Sequence, residues 1–190
     1  MFGIEVNKGT KEYKIAKANV HASNYGEGPV SSAARMNIPV SEAKKYLQLY
    51  HDTFPGIRQW HKKVQEELKA NNCILYTPLG RRRQFHGHWG DDLFREAYAQ
   101  LGQGTVADAL AIIMTEFWKK IQILSDLQIS ILNPVHDSLL VQCPENKVED
   151  CLRILKDAFN FPIKIGQYSV RIPVEFKKGY NWNDMEEVEK

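Results

Sequence analysis

The 190-residue sequence predicts an α+β fold: a helical first part, then part of an antiparallel sheet with flanking helices. Three observations carry this. Apolar residues recur at helical spacing through most of residues 11–71 and 92–126. Short β-type runs begin only at Cys73–Thr77 and multiply after residue 129. Between two of those runs stands Asn133-Pro134-Val135-His136-Asp137-Ser138-Leu139-Leu140-Val141, a His-Asp pair in hairpin context. Hydrophobic content of 43% and charged content of 25% suit a globular chain with a core, and no apolar run approaches a membrane span.

The first dozen residues read as an irregular lead-in, and a helix starts at Lys11. Lys17, His21 and Tyr25 recur at i, i+4 and i+8 on one stripe, with Ile15, Ala18 and Ala22 on another face. The stripe covers roughly 12 Å at the helical rise, the length of a nucleoside triphosphate. A cation, an imidazole and a phenol along it suit phosphates, sugar and base in turn; a solvated lysine above two half-buried rings is the plainer alternative. Tyr25-Gly26-Glu27-Gly28-Pro29 ends the helix. Val30 to Met36 is a short helix, Ser41 to His51 another with Ser41 as N-cap, and Phe54-Pro55-Gly56 precedes a long one from Ile57 to about Asn71.

Cys73 to Thr77 is strand-like, Pro78-Leu79-Gly80 is a turn, and Arg81, Arg82 and Arg83 follow it. Such a run suits a phosphate backbone, or simply an exposed hairpin tip. Asp91 and Asp92 stand before a helical pattern and serve as N-cap and first-turn acids, not metal ligands. That pattern runs to about Asp126 but is interrupted at Gly102-Gln103-Gly104-Thr105, where two glycines imply a kink or the close approach of another backbone. Gln103 at such a bend suits a base edge or minor groove, or ordinary capping. After the His-Asp hairpin come a helix from Lys147 to Phe159, strands at Ile163–Ile165 and Ser169–Phe176, and an acidic tail from Asp184 that is expected to be mobile.

Residues 1–90 carry 14 Lys/Arg against 7 Asp/Glu, and residues 91–190 carry 11 against 16, so a modest net charge of +2 hides a basic first half suited to a phosphate backbone. Cys73, Cys143 and Cys151 have no metal-type spacing, and the N-terminus lacks an export pattern, so a reducing, cytoplasmic setting is expected.

Taken in order, the landmarks are Lys17-x3-His21-x3-Tyr25-Gly26, Phe54-Pro55-Gly56, Gly80-Arg81-Arg82, Arg95 with Gln103-Gly104-Thr105-x2-Asp108, Val135-His136-Asp137 and Asn181-Trp182. On these the chain resembles the C-terminal fingers/palm part of family A DNA polymerases from Lys11 to Trp182. The resemblance implies one partial polymerase domain, with fingers over about 11–90 and palm over about 91–190. It implies that Lys17, with Lys14 beside it, contacts the incoming dNTP, that His21 lines its pocket and that Tyr25 stands beside the templating base. Arg81, Arg82, Arg95, Gln103 and His136 are implied to touch primer-template DNA, and Asp137 to hold catalytic Mg²⁺.

Two-metal phosphoryl transfer in this family uses two aspartates, and the second lies in a motif upstream of the fingers helix. The expectation is therefore a split, phage-type polymerase, with this chain as C-terminal subunit and an N-terminal partner chain supplying the other aspartate. Tyr13 stands where the family usually has arginine, and Ser138 where it usually has glutamate. These departures keep open a non-catalytic DNA-binding or scaffold remnant, or a fragment of an ordinary polymerase.

Overall fold

The computed structural model describes Asn7 and residues 10–188, so most of the expected lead-in and the last two residues of the tail fall outside it. The α+β expectation holds: six helices are joined to four two-stranded antiparallel pairs among the described residues. The chain divides into two compact units, one ending at Gly104 and the other beginning at Thr105.

In the first unit, α1 (Lys11–Asn24) is capped by Thr10, whose Oγ1 accepts from the Tyr13 N–H at 3.2 Å. α2 (Pro29–Met36) has proline at N1 and ends on Asn37 in the left-handed region, φ 53°. α3 (Val40–Thr53) begins earlier than expected. Pro39, not Ser41, is its N-cap, because a proline ring preset near helical φ starts a helix without needing a side-chain acceptor. α4 (Pro55–Ala70) starts on its proline for the same reason. β1 (Ile74–Tyr76) pairs with β2 (Arg82–Gln84) across a turn at Gly80, where φ is +93°.

α5 (Asp91–Ile123) is one continuous helix of 33 residues, so the expected interruption at Gly102–Thr105 is absent. The glycines instead admit side chains. A Cβ added to Gly102 would stand 3.5 Å from the Tyr25 hydroxyl, and one on Gly104 would stand 3.1 Å from the Thr77 methyl carbon. Asp91 and Asp92 lie in the first turn of α5 as expected, but Gly90, whose carbonyl accepts from the Phe94 N–H at 3.0 Å, takes the N-cap position expected of an aspartate. Val64 and Leu68 of α4, Leu75, Phe85, and Leu93, Ala97 and Tyr98 of α5 form the core of this unit.

In the second unit, β3 (Ser130–Val135) and β4 (Ser138–Gln142) form a hairpin, followed by α6 (Val148–Phe159). The inner hairpin residues Ile131, Leu139 and Val141 rest on Ile113, Phe117 and Ile121 of α5 and on Cys151 and Ile154 of α6. β5 (Ile163–Ile165) pairs with β6 (Tyr168–Val170), which is shorter than the expected Ser169–Phe176 run. Pro173 interrupts that run and cannot donate to a ladder. β7 (Lys177–Lys178) pairs with β8 (Glu186–Glu187), so the described part of the acidic tail is engaged, with Lys178 and Glu186 3.7 Å apart.

Candidate active site

Two groups of side chains carry the candidate chemistry, one in each unit. In the first, Lys17 and His21 are exposed on one face of α1 and line a shallow depression of about 370 Å³ with Tyr13, Ala16, Val20 and Asn24. The His21 and Tyr25 rings meet edge-on at 4.6 Å, so the stripe read from the sequence exists as a surface. Lys14 is exposed on the same helix.

The end of α1 is held against four other helices. Tyr25 is half-buried, with its hydroxyl beside Gly102 of α5. Gly26, at φ +78°, lies so close to α5 that an added Cβ would stand 3.1 Å from the Tyr98 ring and 3.7 Å from Cγ of Arg95. Tyr25 and Arg95 are thereby brought to one place, and Gln103, one residue beyond Gly102, is exposed next to it. The Arg95 guanidinium pairs with Asp92 one turn back. Arg35 of α2 closes the far side, gripping Glu27 through Nε at 3.1 Å and through its terminal nitrogen at 2.7 Å.

Behind this junction lies a polar cluster that the sequence reading missed. His61 of α4 places Nε2 2.7 Å from the Asn24 carbonyl and stacks on Tyr98 at 4.0 Å and 18°. The Tyr50 hydroxyl donates to Oδ1 of Asn24 at 2.5 Å, and Gln65 donates to the Tyr98 hydroxyl at 2.6 Å. Burial pulls the His61 imidazole below the ordinary histidine pKa, opposed by the Asn24 carbonyl, and pushes the Tyr98 phenol up. His51 is also lowered, by burial first and then by the charges of Arg58 and His61. The signal was available: His61 and Gln65 fall on the i, i+3, i+4, i+7 stripe with Val64 and Leu68, the buried face of an amphipathic helix.

The three arginines separate in role. Arg81 and Arg82 are exposed around the β1–β2 turn, and Arg82 reaches Gln84 at 3.3 Å. Arg83 faces the other way, pairing with Glu96 and Gln100 and lying 5.0 Å over the Phe85 ring. Strand alternation makes this sorting, since successive side chains leave opposite faces.

In the second unit, Val135 pairs with Ser138, leaving His136 and Asp137 as a two-residue turn. His136 takes φ 52°, the left-handed region that tight two-residue hairpins demand. Asn133 and Pro134 are strand residues paired with Leu140 and Leu139. The Ser138 hydroxyl donates to the Val135 carbonyl at 2.9 Å and ties the turn. Asp137 is exposed, and its carboxylate has neither ion-pair nor hydrogen-bond partner among the described residues. The register slips between Ile131 and Asn133, which makes Leu132 a bulge. No group of three or more metal-ligating side chains occurs among the described residues. Mg²⁺ tolerates that, because it keeps several waters and binds through one or two carboxylates plus substrate phosphates rather than an all-protein cage. The exposed Asp137 fits one such carboxylate.

No helix among the described residues is long and apolar enough to cross a membrane, and Cys73, Cys143 and Cys151 are free thiols. The family profile of DNA polymerase family A matches residues 1–184. Among curated relatives, DNA polymerase I of Helicobacter pylori (strain J99) is 26% identical over 97% of this chain and 20% of its own length. The thermostable DNA polymerase I of Thermus aquaticus is 26% identical over 82% of this chain and 18% of its length. The mitochondrial DNA polymerase I B of Oryza sativa is 30% identical over 90% and 17%. The chain thus spans about a fifth of the length of these relatives. The POL domain of Pol1 from M. smegmatis, solved in complex with DNA primer-template and dNTP, shares the fold with a TM-score of 0.76 at 24% identity, over 85% of this chain and 30% of that one.

Proposed function

The chain belongs to DNA polymerase family A, and from that premise we propose that it contributes the nucleotide-binding helix and one metal carboxylate to template-directed transfer of a nucleotide from dNTP to a primer 3′-hydroxyl. The observation that carries this is the His136-Asp137 turn, which leaves an unpartnered carboxylate at the tip of a hairpin built on a packed core. Mg²⁺ held there by Asp137 and a second aspartate supplies Lewis-acid stabilisation of the attacking and leaving oxygens.

The remaining work falls to side chains of this chain. Lys17 meets the dNTP phosphates, with Lys14 adding charge, and its ammonium offsets the negative charge that builds on the leaving group. His21 bounds the sugar and Tyr25 the templating base. Arg81, Arg82, Arg95 and Gln103 hold the primer-template, Arg81 and Arg82 through phosphates and Arg95 and Gln103 through the minor groove, with His136 near the primer terminus. One carboxylate anchors the metals poorly, so the second aspartate comes from the N-terminal part of the polymerase domain, in the proposed split arrangement a separate chain.

The test is native purification with identification of any bound polypeptide, followed by primer extension by the reconstituted pair with Mg²⁺. Asp137→Asn should lower extension by a factor on the order of a hundred or more, because a neutral amide loses the metal's electrostatic anchor. Unchanged extension would sink the catalytic assignment. Primer-template binding that weakens with salt, with no incorporation by any pair, would favour the non-catalytic scaffold to which Tyr13 and Ser138 point.

A further inference from the structure

A helix leaves its last four carbonyls without partners inside the helix, and the end of α1 shows how each is met. The Tyr25 N–H reaches the carbonyls of His21 and Ala22, the Glu27 N–H reaches Ala22, and the Gly26 N–H reaches Ser23 at 3.1 Å. The Asn24 carbonyl is met instead by a side chain from another helix, Nε2 of His61 at 2.7 Å. A carbonyl oxygen only accepts, so Nε2 carries the proton and the ring serves as a donor while neutral. The donor cannot swing away easily, since the ring is stacked on Tyr98, which is fixed in turn by Gln65. Tyr50 holds the Asn24 side chain, and Gly26 is pressed against the same Tyr98 ring. Tyr25 stands between two residues that are both pinned, one by His61 and the other by the ring His61 stacks on.

We infer that His61 is a positioning residue for template reading: through the Asn24 carbonyl and the Tyr98 ring it fixes the backbone on which Tyr25 is presented to the templating base. It touches neither nucleotide nor metal in this scheme. The inference rests on the polymerase reading above and adds a residue to it. A helix end held by two side chains from two neighbouring helices has few conformations to choose between, so a mispaired base meets the same Tyr25 surface as a matched one and is rejected by it. Released, the end of α1 gains freedom, and discrimination falls before chemical capacity does.

The test compares His61→Phe, which keeps a ring to stack but no donor, with His61→Gln, which keeps a donor. Both are measured in the reconstituted pair by single-nucleotide primer extension. For His61→Phe the expected result is a KM for the matched dNTP higher by about tenfold, the size of one lost buried hydrogen bond, and a raised ratio of mismatched to matched incorporation, with kcat held within about threefold. His61→Gln should restore most of both. In the isolated chain, amide exchange at Tyr25 and Gly26 should quicken in His61→Phe and return in His61→Gln. Wild-type selectivity in His61→Phe overturns the inference. So does a uniform loss of kcat in both variants that follows their melting temperatures, the mark of a merely structural residue. Failure of the wild-type pair to extend any primer overturns the polymerase reading itself, and the templating role with it, whereas wild-type extension with unchanged selectivity removes only the role of His61.

Discussion

His136 occupies left-handed backbone, a conformation that costs an ordinary L-residue roughly 1–2 kcal/mol and that glycine adopts freely. A turn selected for stability alone would carry glycine there. Asn and His tolerate the region better than most residues, but tolerance does not explain a histidine beside an unpartnered aspartate. His136→Gly should therefore leave the melting temperature unchanged or slightly higher while lowering primer extension, and a loss of both together would show that the imidazole serves packing instead. Lys17 makes the complementary case. It is exposed at the surface of α1, so Lys17→Ala should leave the melt unaltered and lower kcat/KM for dNTP by roughly 10²-fold or more, the usual scale for removing one group that stabilises transition-state charge.

At the level of the element, the bulge at Leu132 decides which way the His136-Asp137 turn faces. Ile131 lies opposite Val141 and Pro134 opposite Leu139, so β3 advances three residues where β4 advances two. Removing Leu132 would restore simple alternation and put every residue from Asn133 onward on the opposite face. Deletion of Leu132 should abolish extension while leaving α1 to α4 folded, as judged by retained helical circular dichroism; wild-type activity would show that the hairpin re-forms its register without the bulge. The two glycines of α5 separate in the same way. Replacing glycine inside a helix gains up to about 1 kcal/mol if there is room. Gly102→Ala meets only an ordinary contact at 3.5 Å and should raise the melting temperature, whereas Gly104→Ala meets Nε2 of Gln100 at 2.6 Å and the Thr77 methyl carbon at 3.1 Å and should raise it less or lower it.

For the whole chain, acidity is the variable to which the fold should respond most. His51 and His61 both titrate below the ordinary histidine value of 6.5, because burial disfavours the cation. Arg58 and His61 add to that for His51 and Asp52 opposes it, while the Asn24 carbonyl opposes it for His61; Tyr50 and Tyr98 pack against the pair as neutral phenols. As pH falls through about 6.5 the unfolded chain takes up protons that the folded chain resists, so stability complete above that pH is lost on the way down to the folded pKa values. Thermal melts at neutral and mildly acidic pH should show this loss, and the double replacement of His51 and His61 by Gln should flatten it. A slope that survives the double variant would assign the acid sensitivity elsewhere. Exposed Trp118, Ile123, Tyr168 and Trp182 further predict that the isolated second unit self-associates, which light scattering would show.

Element type and order were legible in the residues, because helical and strand periods are local and Pro, Gly and Asp mark their ends. The Lys17, His21, Tyr25 stripe was legible for the same reason, as was the placing of Asp137 at a tight turn. What pattern could not decide were contacts between residues far apart in sequence. Whether two glycines bend a helix or admit Tyr25 and Thr77, whether Arg83 joins its neighbours or pairs with Glu96, and whether His61 is a surface imidazole or the donor to a helix end all depend on what another element brings within about 4 Å. The sequence by itself determined the inventory of charged groups and the faces they occupy. Only the tertiary structure decided which of them are held still, since immobilising a side chain takes packing and hydrogen bonds from several elements at once.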